Sequence, residues 1–208
     1  MGYNGGTVVA MSGKNCVAMA TDLRFGIQNQ TVGTEFQKVF REGEKTMIGM
    51  TGLATDSQTV YQRVRMKANI YRLREEREMK PQVVASMVSS LLYEHRFGPY
   101  FVEPVVAGLT TGGAREGEEN KPFLCGMDLL GAPMFAEDFV GAGTSIDGIM
   151  GVCESLWKPD LEPEDLFEVI SQCLLSAVDR DAFSGWGAVV HVLTPTHFTT
   201  HFLKSRQD

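Results

Sequence analysis

Few side chains in this 208-residue chain are spaced for chemistry, and the familiar arrangements fail one by one. His197 and His201 are four apart, but they fall in a β-prone run rather than on a helix. No Glu follows His197, so the helical zinc motif HExxH is not met. Cys16, Cys125, Cys153 and Cys173 are scattered without a CxxC pair, which leaves no cluster for a metal. They read as reduced thiols. Gly141-Ala142-Gly143 lacks the Lys-Ser/Thr of a phosphate loop. No metal and no cofactor is expected. Met1-Gly2 opens like a myristoylation signal, yet the sixth position requires Ser or Thr and holds Gly6.

The elements that would carry any site alternate in blocks: strands, two helices, strands, two helices, strands. Thr7 to Ser12 and Cys16 to Thr21 are β-prone runs joined by the turn Gly13-Lys14-Asn15. Thr46 to Thr51 forms another. Thr55 with Gln58 reads as a capping box opening a long helix, with Val60, Val64, Ala68 and Tyr71 on its inner face. Its basic residues, Arg63 to Arg77, alternate into Glu75, Glu76 and Glu78. That mixture fits a solvated or subunit-facing surface better than an RNA-binding one. Pro81 suits the first turn of a second helix reaching about His95. Strands follow at Val102 to Leu109, Phe123 to Met127 and Pro133 to Phe135, interrupted by a polar loop from Gly112 to Lys121.

Thr144 with Asp147 is expected to cap a third helix, which Pro159 stops. Pro163, Glu164 and Asp165 open a fourth, with Leu166, Ile170, Leu174 and Val178 as its apolar stripe. Ala188 to Leu193 and Phe198 to Leu203 close the chain as a hairpin. Paired helices between blocks of strands suit an α+β fold, a four-layer αββα sandwich, as a single domain over residues 1–208.

Composition narrows the class further. An apolar fraction of 43% and a charged fraction of 22% fit a soluble globular chain. No apolar run approaches the ~18 residues of a membrane helix, and the polar first residues do not read as a signal peptide. The net charge of −7 argues against nucleic acid as a partner.

Several segments together resemble a known family. They are Gly5-Gly6-Thr7, Ala20-Thr21-Asp22-Leu23-Arg24, Phe36-Gln37-Lys38, Gly52-Leu53-Ala54 and Asp179-Arg180-Asp181-Ala182-Phe183-Ser184-Gly185. In this order they resemble proteasome β-type subunits, from about Tyr3 to the C-terminus. Gly13 to Ala18, Tyr93 to Tyr100 and Cys153 to Trp157 point to one non-catalytic branch of that family. The resemblance implies the N-terminal-nucleophile hydrolase fold, which agrees with the layered reading above.

Active members use a freed terminal threonine as nucleophile, with its own amine as base. A lysine anchored by an aspartate lowers neighbouring pKa values, and a glycine N–H stabilises the oxyanion. By resemblance, Asp22 and Lys38 are the anchored pair and Gly52 the oxyanion glycine. Asp181 and Ser184 are the late pair that orients the terminus. The nucleophile stands sixteen residues before the aspartate and thirty-two before the lysine, and both counts fall on Gly6. A further serine, in a loop before the third helix, falls on Ala142. Both hydroxyls are missing, so no catalysis is expected. Thr7 is the rival nucleophile, but it is one residue out of register, and on a strand that turns its side chain to the other face. Asp22 and Lys38 are then expected to persist as a buried ion pair.

The resemblance also implies partners. The family assembles as four seven-membered rings with β subunits in the inner two, working in ubiquitin-dependent protein degradation. The expected contacts are the beta-type 2 and beta-type 4 subunits in the ring, the α ring and the opposite β ring, in cytoplasm and nucleus. Cys125 and Asp128 are candidates for a wall of the adjacent trypsin-like pocket, where negative charge would favour basic side chains.

Overall fold

A computed structural model describes residues 2–110 and 120–207. Most of the loop expected between Gly112 and Lys121 lies outside the described residues. The elements run β1 (Thr7–Gly13), β2 (Cys16–Asp22), β3 (Phe25–Ile27), β4 (Gln30–Gly33), β5 (Val39–Arg41), β6 (Thr46–Gly52), α1 (Ala54–Glu75) and α2 (Pro81–Tyr93). They continue with β7 (Val102–Thr110), β8 (Lys121–Met127), β9 (Pro133–Ala136), β10 (Phe139–Gly143), α3 (Ile146–Leu156), α4 (Pro163–Val178), β11 (Ala188–Leu193) and β12 (Phe198–Leu203).

The strands form two five-stranded antiparallel sheets, ordered β10-β1-β2-β11-β12 and β5-β6-β7-β8-β9, with a small β3-β4 hairpin beside them. Side-chain alternation explains the layers. On β1, Val9 and Met11 enter the cluster shared with α3 and α4, whereas Val8 and Ala10 enter the cluster between the sheets. On β2, Cys16, Ala18 and Ala20 face the helices and Val17 and Met19 face the other sheet. The second sheet repeats the rule: Met47, Val105 and Leu124 face inward, and Ile48, Val106 and Cys125 face α1 and α2. The central strands of each sheet are thus buried on both faces and read as near-continuous apolar runs, while the edge strands β9 and β12 are largely exposed. The result is the four-layer αββα sandwich.

Helix starts differ from their expected form. α1 begins at Ala54 with Leu53 as its N-cap and no side-chain cap from that residue. Thr55 lies inside the first turn, so the Thr55–Gln58 capping box is not made. α3 begins at Ile146 after Ser145, and neither Thr144 nor Asp147 caps it. The hydroxyls of Thr144 and Ser145 are drawn instead into the site below. Pro81 and Pro163 do open α2 and α4. The short strands β3, β4, β5 and β10 have no counterpart in the expected pattern. Gly141-Ala142-Gly143, expected as a loop, ends strand β10, with Ala142 opposite Val8.

Candidate functional site

The end of β2 places Asp22 with 0% exposure, where its carboxylate accepts hydrogen bonds from four groups. Oδ1 takes the Thr7 N–H at 2.8 Å and the Lys38 ammonium at 3.0 Å. Oδ2 takes the N–H groups of Arg24 at 3.1 Å and Gly185 at 3.2 Å. Lys38, just before β5, also donates to the carbonyls of Asp22 at 3.1 Å and Arg24 at 2.8 Å. Its three acceptors match the three N–H bonds of an ammonium. Burial pushes the Lys38 pKa below the ordinary lysine value, against the opposing pull of Asp22.

Gly6 is the residue that faces this lysine. A Cβ built on it would overlap Lys38 Cε and stand 3.2 Å from Nζ. Its φ of +106° lies where L side chains are strained. Gly6 is held on both sides, its N–H donating to Phe183 O at 3.0 Å and its carbonyl accepting from Thr144 N–H at 3.1 Å. Thr7 has 0% exposure and points elsewhere. Its hydroxyl shares hydrogen bonds with Ser145 Oγ at 2.7 Å and Ser184 Oγ at 2.8 Å, and accepts from Ser145 N–H at 3.2 Å. The ladder between β1 and β10 runs unshifted from Thr7 to Met11, so no bulge turns Thr7 back toward the lysine.

Asp181 and Ser184 join the same network. Ser184 Oγ donates to Asp181 Oδ2 at 2.7 Å, and Thr144 Oγ1 donates to the same oxygen at 2.5 Å. Gly6, Asp22, Lys38, Asp181 and Ser184 are therefore brought together. Ala142 is not among them: it lies in the core between the sheets. Two residues further on, Thr144 donates its hydroxyl to Asp181, and its oxygen lies 2.9 Å from Ser184 Oγ. Gly52 closes β6 with φ +112°, and any Cβ there would strike the Phe101 carbonyl.

Four contributors escaped sequence reasoning. Arg24, only 2% exposed, ties Thr31 Oγ1, Phe183 O and Gln28 O to one guanidinium. Thr144 and Ser145 looked like cap residues, because Ser and Thr before a helix usually are. Asn4 had no local pattern at all, yet its side chain reaches the start of α1.

The two neighbour-pocket candidates part ways. Cys125 has 0% exposure and faces α1 and α2, and burial pushes its thiol up to about 11. A thiol sealed on the helical side of β8 cannot line a pocket outside the chain, which corrects that expectation. Asp128 is exposed, and its Oδ1 accepts from Leu130 N–H at 3.0 Å and Ala132 N–H at 2.8 Å, closing the β8–β9 turn. It borders a cleft of about 360 Å³ with Glu103, Met127, Met134 and Ile146. His197 and His201 lie on or next to β12, where His201 packs on Phe167. Among the described residues no group of His, Cys, Asp and Glu is placed to hold a metal.

The sequence pattern of the family described as "Proteasome subunit" matches residues 3–193. A protein of Oryza sativa subsp. japonica named "Proteasome subunit beta type-3" is 56% identical over 206 residues, covering 99% of this chain and 98% of its own length. Proteins with the same name from Drosophila melanogaster and Dictyostelium discoideum are 54% and 53% identical over 208 residues. Each alignment spans 100% of this chain and 98% of the relative. With the sandwich, the Asp22–Lys38 pair and end-to-end similarity in agreement, the chain belongs to the proteasome subunit family.

Proposed function

We propose that this chain is a non-catalytic β-type subunit that builds the inner ring of a proteasome core particle and takes no part in peptide cleavage itself. One observation carries the reading: the position facing Lys38 is a glycine in mid-chain, its N–H bonded to Phe183 O rather than free as an amine. A nucleophile of this type needs a hydroxyl and a terminal amine together, and Gly6 offers neither. The Thr7 alternative would require its hydroxyl to leave Ser145 and Ser184 and swing across the strand.

In this reading the partners are beta-type 2 and beta-type 4 neighbours, the α ring and the opposite β ring, in cytoplasm and nucleus. Isolation through an affinity tag on the C-terminus tests it. Recovery with α- and β-type subunits in ring-sized particles is expected. Recovery of the chain alone would favour a free-standing binding domain with the same fold.

Asp128 remains the candidate for influence on the neighbouring trypsin-like pocket, and the turn geometry selects the right variant. Alanine would remove both the charge and the turn's acceptor. Asp128→Asn keeps an oxygen for Leu130 and Ala132 while removing the charge. The expected outcome is a raised KM for substrates with basic side chains, with other substrates unaffected. Unchanged kinetics on basic substrates would limit Asp128 to its turn.

A further inference from the structure

The four cysteines differ in what their thiols meet. Cys16 donates to Leu161 O at 3.8 Å and Cys125 to Gly126 O at 3.7 Å. Cys153 on α3 and Cys173 on α4 meet each other instead. Both have 0% exposure and share one apolar cluster with Ile149, Ile170 and Leu174. The two helices run side by side in opposed directions. Gly148, ahead of Cys153 on α3, faces Ala177, beyond Cys173 on α4. A Cβ built on Gly148 would stand 3.6 Å from the Ala177 methyl. A glycine at this contact lets the backbones come close, and a disulfide needs Cα atoms about 4.4–6.8 Å apart.

A side-chain hydrogen bond joins the two thiols. It holds the Cys153 proton in place, above the ordinary thiol pKa, and draws Cys173 below that value. Cys173 is thus the sulfur that reaches the thiolate form, and the thiolate is the nucleophile. Burial works the other way at the remaining two, pushing Cys16 up to about 12 and Cys125 up to about 11.

The helix that covers this pair is weakly held. α3 carries Gly148 and Gly151 in its interior, and glycine is a poor helix former. Its N-cap, Ser145, makes no cap bond. Only Ile149 and Cys153 of α3 are buried, against seven residues of α4. A segment with few buried contacts opens locally before the rest of the fold. Lifting α3 bares Cys153 and, beneath it, Cys173.

We propose that Cys153 and Cys173 form a dithiol modification site, which hydrogen peroxide converts to a disulfide that clamps α3 onto α4. The Cys173 thiolate attacks one peroxide oxygen and the O–O bond breaks, leaving a sulfenic acid and hydroxide. The Cys153 sulfur then attacks the Cys173 sulfur, the S–O bond breaks, and the oxygen leaves as water. In sum, two thiols and one peroxide give one disulfide and two waters; the sulfurs are oxidised and the peroxide is reduced. The inference stands on the α3–α4 contact and does not depend on assembly into rings.

Peroxide treatment of the purified complex, followed by alkylation of the remaining thiols and mass mapping, tests it. The expected product joins the fragments holding Cys153 and Cys173, is two hydrogens lighter, and separates on reduction with dithiothreitol. It should form about tenfold faster or more than any oxidation of Cys16 or Cys125. After oxidation the α3 amides should exchange hydrogen about tenfold more slowly. In Cys173→Ala, peroxide should leave that exchange unchanged. The proposal is overturned if Cys153 and Cys173 remain open to alkylation while Cys16 or Cys125 oxidises, or if each goes separately to a sulfinic acid. Slowed α3 exchange in the Cys173→Ala chain, or none in the cross-linked wild type, would equally overturn the clamp.

Discussion

At the scale of single residues, Asp22 organises the site. It satisfies the Lys38 ammonium and three main-chain N–H groups with one carboxylate at 0% exposure. Removing one member of a buried pair strands the other. Asp22→Ala should therefore cost roughly 3–5 kcal/mol, read as a lowered urea midpoint with unchanged slope. A double change to apolar residues at 22 and 38 should recover part of that loss and no more. The N–H groups of Thr7, Arg24 and Gly185 would still lack an acceptor. An apolar pair as stable as the wild type would show that those three bonds contribute little. Such economy explains why the pair stays in a chain whose nucleophile position is glycine: the carboxylate and ammonium tie β1, β2 and the Gly185 turn into one piece.

At the scale of elements, eight of the twelve described strands and the four described helices were legible, because apolar periodicity is a local signal. The inner face expected for α4, Leu166, Ile170, Leu174 and Val178, is buried. The short strands β3, β4 and β5 were not legible. They are three or four residues long, too short to carry a periodic pattern of their own, and the β3–β4 hairpin is held by side-chain hydrogen bonds from Arg24 and Asn4. The caps failed for a related reason. Thr144 and Ser145 have the right residue types for a helix start, but Asp181 and Thr7 offer their hydroxyls partners from distant segments. Gly6 beside Lys38 follows from the spacing that the family resemblance implies, whereas the sealing of Cys125 follows only from which face of β8 meets α1 and α2.

The β11–β12 hairpin carries a pH prediction. His191 shares a hydrogen bond with Thr200 Oγ1 at 2.9 Å and stacks on Phe198. Burial holds its pKa below the ordinary histidine value. The unfolded chain then takes up the proton first as pH falls, so stability present above about pH 6.5 is lost below it. Thermal melting between pH 5 and 8 should show a smaller decline for His191→Gln than for the wild type. Equal declines would assign the pH dependence to other groups.

At the scale of the whole molecule, the exterior fits a subunit better than a free protein. Phe97 is 98% exposed, Leu73 82% and Phe202 75%, and Met66 and Ile70 add to the outer face of α1. Large apolar side chains left open in such number mark surfaces made for contact. The interior, by contrast, is closed at the one place where a relative of this family could do chemistry. Gly6 faces the lysine and Thr7 faces the serines. The central claim is that the chain is never cut between Gly6 and Thr7. The intact mass of this chain, taken from the assembled complex, tests that most directly. A mass that retains residues 2–6, with or without Met1 and an N-terminal acetyl group, is the predicted result. A mass beginning at Thr7 would contradict the account, because it would require a freed threonine at the position where the hydroxyl is bound to Ser145 and Ser184.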